Sequence, residues 1–162
     1  ADMGHKKIAV IGGEREYSDT GRLRYAGVLR ALTERGMIFD ADRFYKTAHY
    51  SFEEGYTAMA ELLRETSEIT AVFAMADVMA IGAARAVRDA GKRIPEDISL
   101  IGFDGLPICR YYEPRLSTVT QQIAFMAEKS YAVLLDMIEN GSGAQHVLAP
   151  YTLEKTDSIR KN

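Results

Sequence analysis

A single cysteine, Cys109, stands among the 162 residues, which excludes an internal disulfide and fits a reducing compartment. No apolar run approaches the ~20 residues that a helix needs to span a bilayer, and no charged-then-apolar leader opens the chain. The expectation is a soluble, cytoplasmic protein with no membrane partner. An excess of positive charge is also missing. Twenty Lys and Arg face 23 Asp and Glu, for a formal net charge of −3, and the basic pairs Lys6-Lys7, Lys92-Arg93 and Arg160-Lys161 are short and scattered. A surface that grips nucleic acid needs clustered Lys and Arg to neutralise phosphates, so this chain is not expected to hold DNA by itself.

Signatures of catalysis are lacking as well. There is no Gly-x-x-x-x-Gly-Lys-Ser/Thr to cradle phosphates. Gly12-Gly13-Glu14-Arg15-Glu16 is not a Gly-x-Gly-x-x-Gly turn, and its carboxylates would repel a pyrophosphate. A receiver domain would want an acidic pair where Gly12-Gly13 stands, and no Gly-x-Ser-x-Gly elbow occurs. His5, His49 and His146 are dispersed, with no Cys, Asp or Glu at metal-ligand spacing. No metal or cofactor is implied, and an enzyme is unsupported.

What is present is an ordinary globular composition, 47% hydrophobic and 27% charged, long enough for one domain with a real core. Short apolar runs alternate with stretches of helical period, the pattern of βαβ units on a parallel sheet. Lys7–Ile11 reads as a first strand closed by Gly12-Gly13. Thr20–Arg35 reads as a helix with Leu23, Gly27, Val28 and Leu32 near one face, stopped by Gly36. Arg43–Thr47 reads as a second strand. Ser51-Phe-Glu-Glu54 is a capping box that starts a helix to about Arg64, with Tyr56, Met59, Ala60 and Leu63 inward. Ile69–Met75 and Ile98–Ile101 are strands three and four, joined by a helix that Asp77 caps and that ends before Gly91. Gly105–Pro114 is a long aromatic loop, the kind that commonly carries function. Leu116–Val119 is a short strand or crossing segment, Val147–Leu153 is a last strand or strand pair, and Thr156–Asn162 reads as a fraying tail. The helix from Gln121 to Glu139, ended by Asn140-Gly141, is apolar on more than one stripe and wants cover on two sides.

Right-handed crossovers bring the carboxyl ends of parallel strands to one edge, where ligands bind in open sheets. That edge collects Gly12-Gly13 and the loop to Gly21, His49, Ala76-Asp77 and Asp104, with Arg22 and Arg24 overhanging from the first helix. Asp77 is explained first as a helix N-cap. Asp104 has no helix directly after it, so ligand contact explains it better. A carboxylate opposite an arginine suits a polyhydroxylated or otherwise polar small molecule.

These pieces resemble the effector-binding region of the lactose/galactose-repressor family of bacterial transcription regulators. The likeness rests on Gly4–Gly13, Arg22-Leu-Arg24-Tyr-Ala-Gly27, Phe73–Ala83, Ile94–Asp104 and Pro114–Val119, in the family's order along nearly the whole chain. The resemblance implies an α/β, doubly wound parallel sheet of the periplasmic-binding-protein type. Residues 1–119 would form the second effector-binding subdomain, 120–146 a crossover helix that packs on a first subdomain absent here, and 147–162 a return strand and tail. It implies effector contacts at Arg24, Asp104 and Gln121, beside Ala76 and Asp77, with Ala76 standing where several sugar-responsive members carry a polar residue. It implies a homodimer through Ile81 and Tyr112, a sugar-like effector, and operator DNA bound only by an N-terminal headpiece that is not in these residues. A solute-binding protein of a sugar transport system would share the fold, and a secretory leader in place of a helix-turn-helix would distinguish it.

Overall fold

Alternation and helical period resolve into six strands and five helices in a computed structural model that describes residues 1–162. The order is β1 (Ile8–Gly12), α1 (Asp19–Thr33), α2 (Ala41–Phe44), β2 (Tyr45–Thr47), α3 (Phe52–Glu65), β3 (Ala71–Ala74), α4 (Asp77–Asp89) and β4 (Ser99–Asp104). A 3₁₀ turn at Pro107–Arg110, β5 (Ser117–Gln121), α5 (Ile123–Asn140) and β6 (Tyr151–Glu154) complete it. The sheet runs β2-β1-β3-β4-β5-β6 and is parallel except for β6, which pairs antiparallel with β5. The doubly wound α/β architecture expected from the sequence is therefore present. The chain steps one way from β1 to β2 and the other way through β3 and β4, so right-handed crossovers set α1 on the face opposite α3 and α4.

The two faces are covered unequally. Val72, Ala74 and Leu100 are buried, and a Cβ at Gly102 would meet Asp77 of α4, which marks this face as the one beneath α4. Phe73, Ile101 and Phe103 on the other face are only half-buried. The core joins Ala9 and Ile11 of β1 to Met59 and Leu62 of α3 and to Met79, Ala83 and Val87 of α4.

Several local expectations shift. In α1 the inward face carries Gly21, Arg24, Tyr25, Val28 and Leu32, while Leu23 and Gly27 are exposed. In α3 the buried set is Gly55, Ala58, Met59 and Leu62, with Tyr56 exposed, because Gly55 meets Met79 of α4 backbone to backbone and small residues set that interface. The expected second strand is half helix, since Arg43 and Phe44 belong to α2. Ser51 does cap α3, accepting from the Glu54 amide at 3.1 Å, yet the Glu54 carboxylate turns to the His49 amide at 2.7 Å. Gly36 and Gly141 stop α1 and α5 in left-handed turns, as the sequence indicates.

The tail does not fray. Ser158 is 1% exposed, donates its hydroxyl to the Leu100 carbonyl and accepts from the Ser117 amide. Beyond it, His5 bridges Thr70 Oγ1 and the Arg160 carbonyl, each at 2.9 Å. In contrast, no residue of α5 is buried, and Ile123, Leu134 and Ile138 lie exposed along it.

Candidate ligand site at the carboxyl edge of the sheet

Asp104 closes β4 with φ +122° and Gly105 follows at +81°. Because Asp104 is registered against Thr120 of β5, Gln121 comes one residue further, beside the carboxylate. Its Nε2 donates to Asp104 Oδ1 at 2.8 Å. Arg24 reaches the same oxygen from α1, with Nη2 at 3.5 Å, and donates Nη1 to the Met75 carbonyl at the end of β3. The guanidinium carbon sits 3.8 Å from the centre of the Phe103 ring, a cation stacked on an aromatic face. Two residues far apart in sequence, Arg24 and Gln121, thus converge on one oxygen of Asp104. The Asp104 side chain stays 29% exposed, and neither its Oδ2 nor Gln121 Oε1 has a hydrogen-bond partner within the chain.

Electrostatics at this edge follow from burial. Desolvation raises the Asp104 pKa above the ordinary carboxylate value; Arg24 opposes that shift and Asp77 adds to it. Cys109, buried beneath the same turn, has its thiol pushed up to about 12 by burial, with Asp77 contributing.

Asp77 departs from the expectation twice. The helix N-cap is Ala76, with no side-chain cap hydrogen bond, and Asp77 is the first helical residue. Its carboxylate is 0% exposed and saturated. Oδ2 accepts from the Gly105 and Leu106 amides at 2.8 and 2.7 Å, and Oδ1 from Thr118 Oγ1 at 2.6 Å. It therefore has no free oxygen to offer a ligand. Ala76, 2% exposed, presents almost no side-chain surface either.

Of the other edge residues, Arg22 is exposed and pairs with Asp19 instead of overhanging the site. His49 is exposed between Glu54 at 2.6 Å and Glu14 at 3.5 Å, and these carboxylates, Glu54 foremost, raise its pKa. Two site residues were not singled out from the sequence. Phe103 is the platform under Arg24, and strand alternation from Ile101 could have placed it on that face. Tyr50, at φ +58°, packs its ring against Gly13 at the end of β1; a lone aromatic after β2 gives little warning of that. Ile81 and Tyr112 lie half-buried away from this edge, Tyr112 with the Arg88 guanidinium 5.0 Å from its ring centre.

Residues 1–159 match the family described as periplasmic binding protein-like domain. The chain belongs to that family. This periplasmic-binding-protein-like domain is 40% identical over 137 residues to the HTH-type transcriptional repressor PurR of Erwinia tasmaniensis, an alignment covering 85% of the chain and 40% of the repressor. Among solved structures it is similar to a LacI family transcriptional regulator from Enterococcus faecium with bound ribose. There the TM-score is 0.88 at 32% identity, over 99% of this chain and 59% of the other. A lac repressor dimer bound to operator and the anti-inducer ONPF gives 0.89 at 28% identity, over 98% of this chain and 54% of that one. The lactose/galactose-repressor resemblance is borne out in both sequence and fold. The domain spans about 40% of the length of the curated repressor that it matches.

Proposed function

We propose that this domain senses a small polar effector for a repressor-type transcriptional regulator, with Arg24, Asp104 and Gln121 as its half of the effector cleft. The observation that carries the proposal is the convergence on Asp104 Oδ1. With Arg24 and Gln121 both directed at that oxygen, Asp104 Oδ2 and Gln121 Oε1 remain as free acceptors. A ligand presenting paired donors, such as adjacent sugar hydroxyls, complements them. Effector binding alters operator affinity through differential affinity for two arrangements of the intact protein.

The assembly follows the same reading. The acidic chain leaves operator contact to a separate headpiece of a cytoplasmic protein, Ile81 and Tyr112 form a homodimer surface, and α5, which buries no residue within this chain, packs against another subdomain. The relatives support a regulator over a transport protein, since the names they carry are those of transcriptional repressors and regulators. The test is Asp104→Ala in the intact regulator. Operator binding is expected to persist while its response to a panel of sugars, polyols and purines is lost; an unchanged response overturns the site.

A further inference from the structure

Two carboxylates, Asp77 and Asp104, lie at the ends of neighbouring strands, and only Asp104 has a free oxygen. We propose that Asp77 is the positioning residue of the site, clamping the turn after β4 from beneath so that the Asp104 carboxylate is held towards the cleft. The proposal rests on the reading of Asp104 as the ligand contact.

The Gly105 and Leu106 amides, consecutive along the chain, both point at Asp77 Oδ2. Successive N–H groups that converge in this way form an anion-binding concavity, and the anion is supplied from α4. Thr118 of β5 completes the carboxylate on Oδ1, so Asp77 ties α4, the turn and β5 together. The turn requires that restraint. Asp104 at φ +122° is in a region that strains a residue with a Cβ and persists only where the surroundings enforce it.

The sequence around the turn is shaped to admit the carboxylate. A Cβ at Gly102 would lie 2.2 Å from Asp77 Oδ1, and one at Gly105, itself at positive φ, would lie 2.5 Å from Thr120 Cγ2. Neither helix capping nor ion pairing accounts for this buried aspartate. Asp77 is not the helix cap, and no cation pairs with it, since its donors are two amides and a hydroxyl. Buried carboxylates are rarely left without hydrogen-bond donors, and here the two amides belong to the Asp104 turn and the hydroxyl to the strand beside it.

The experiment compares Asp77→Ala, Asp77→Asn and Thr118→Val in this 162-residue chain by amide hydrogen exchange and by the NMR signal of the Gln121 side-chain amide, with no ligand added. Asp77→Ala is expected to speed exchange at Gly105 and Leu106 at least tenfold relative to Phe103 and to shift the Gln121 signal towards that of a free amide. Asp77→Asn keeps a carbonyl oxygen under the two amides and is expected to restore most of the protection, which side-chain packing alone would not predict. Thr118→Val removes one donor to Asp77 and also the hydroxyl that accepts from the Gly105 amide at 3.3 Å, so it is read at Leu106, where it is expected to give the same change at smaller amplitude. Unchanged exchange and an unchanged Gln121 signal in folded Asp77→Ala overturn the proposal. If that variant does not fold, an unchanged Thr118→Val does so. Effector response is tested separately at Asp104, so failure of the clamp and failure of the effector reading give different results.

Discussion

Gln121 donates to Asp104 Oδ1 at 2.8 Å across the carboxyl ends of β5 and β4, and that oxygen is also the one nearest Arg24 Nη2. Even so, burial keeps the Asp104 pKa above its ordinary value. The folded chain then holds a proton at Asp104 more tightly than the unfolded chain. Stability is accordingly lost as pH rises from the ordinary carboxylate range through the raised value, and the loss is complete above it. Asp104→Asn removes the charge while keeping a side chain tolerant of positive φ. It is expected to raise stability at pH 7 by about 0.5–1 kcal/mol, a common exchange of function for stability, with the gain fading below about pH 4. Thermal melts between pH 4 and 8 measure this, and a less stable variant at pH 7 would contradict it.

Arg24 is fixed by three contacts of different kinds: the Phe103 ring, the Met75 carbonyl and Asp104. Arg24→Met keeps the stem but leaves a half-buried carboxylate without its cation and a carbonyl without its donor. The expected cost is about 1–3 kcal/mol. Arg24→Lys is expected to recover only part of it, because a point charge cannot stack and donate along two directions at once. If Asp104 is the partner that matters, Arg24→Met costs less in an Asp104→Asn background. Urea melts of the four proteins in that cycle decide it; strict additivity would mean that Asp104 is not that partner.

The sequence made the layout legible because strands and helices are local patterns. Asp104 stood out because no helix follows it, so capping left it unexplained. Arg24 falls at the same edge by the hand of the crossovers, while Gln121 needed the family resemblance, since its meeting with Asp104 depends on strand order. Asp77 was misread for the same reason in reverse. Capping is a rule about neighbours, whereas its donors lie 28 to 41 positions away. Rotation of α1 and α3 about their axes was also hidden. Leu23 is as apolar as Leu32, and only the docked helix shows which is 60% exposed.

Close approach of α3 and α4 gives a contrast between two glycines. A Cβ at Gly82 would lie 1.9 Å from the Phe52 carbonyl oxygen, whereas one at Gly27 would meet nothing within 4 Å. Gly82→Ala must push the helices apart and is expected to cost about 1–3 kcal/mol or more. Gly27→Ala replaces an exposed helical glycine and is expected to gain about 0.5–1 kcal/mol. Denaturant melts of the two variants should move in opposite directions, and a neutral Gly82→Ala would mean that α3 and α4 are not packed this tightly.

Ser158 anchors the last residues to the sheet through partners on two strands. Its hydroxyl donates to the Leu100 carbonyl at 2.6 Å and accepts from the Ser117 amide at 2.8 Å, while its own carbonyl takes the Leu100 amide at 2.8 Å. Ser158→Ala leaves a buried amide and a buried carbonyl short of a partner at about 1–3 kcal/mol, although the volume change is one oxygen. The loss should be local before it is global. Hydrogen exchange at Ser117 and Leu100 is expected to accelerate more than at Val10 in β1, and protease cleavage after Lys155 should become faster. Equal exchange at all three amides would mean that residues 156–162 are held by the Arg115–Asp157 ion pair and the His5 bridge and that the serine is incidental.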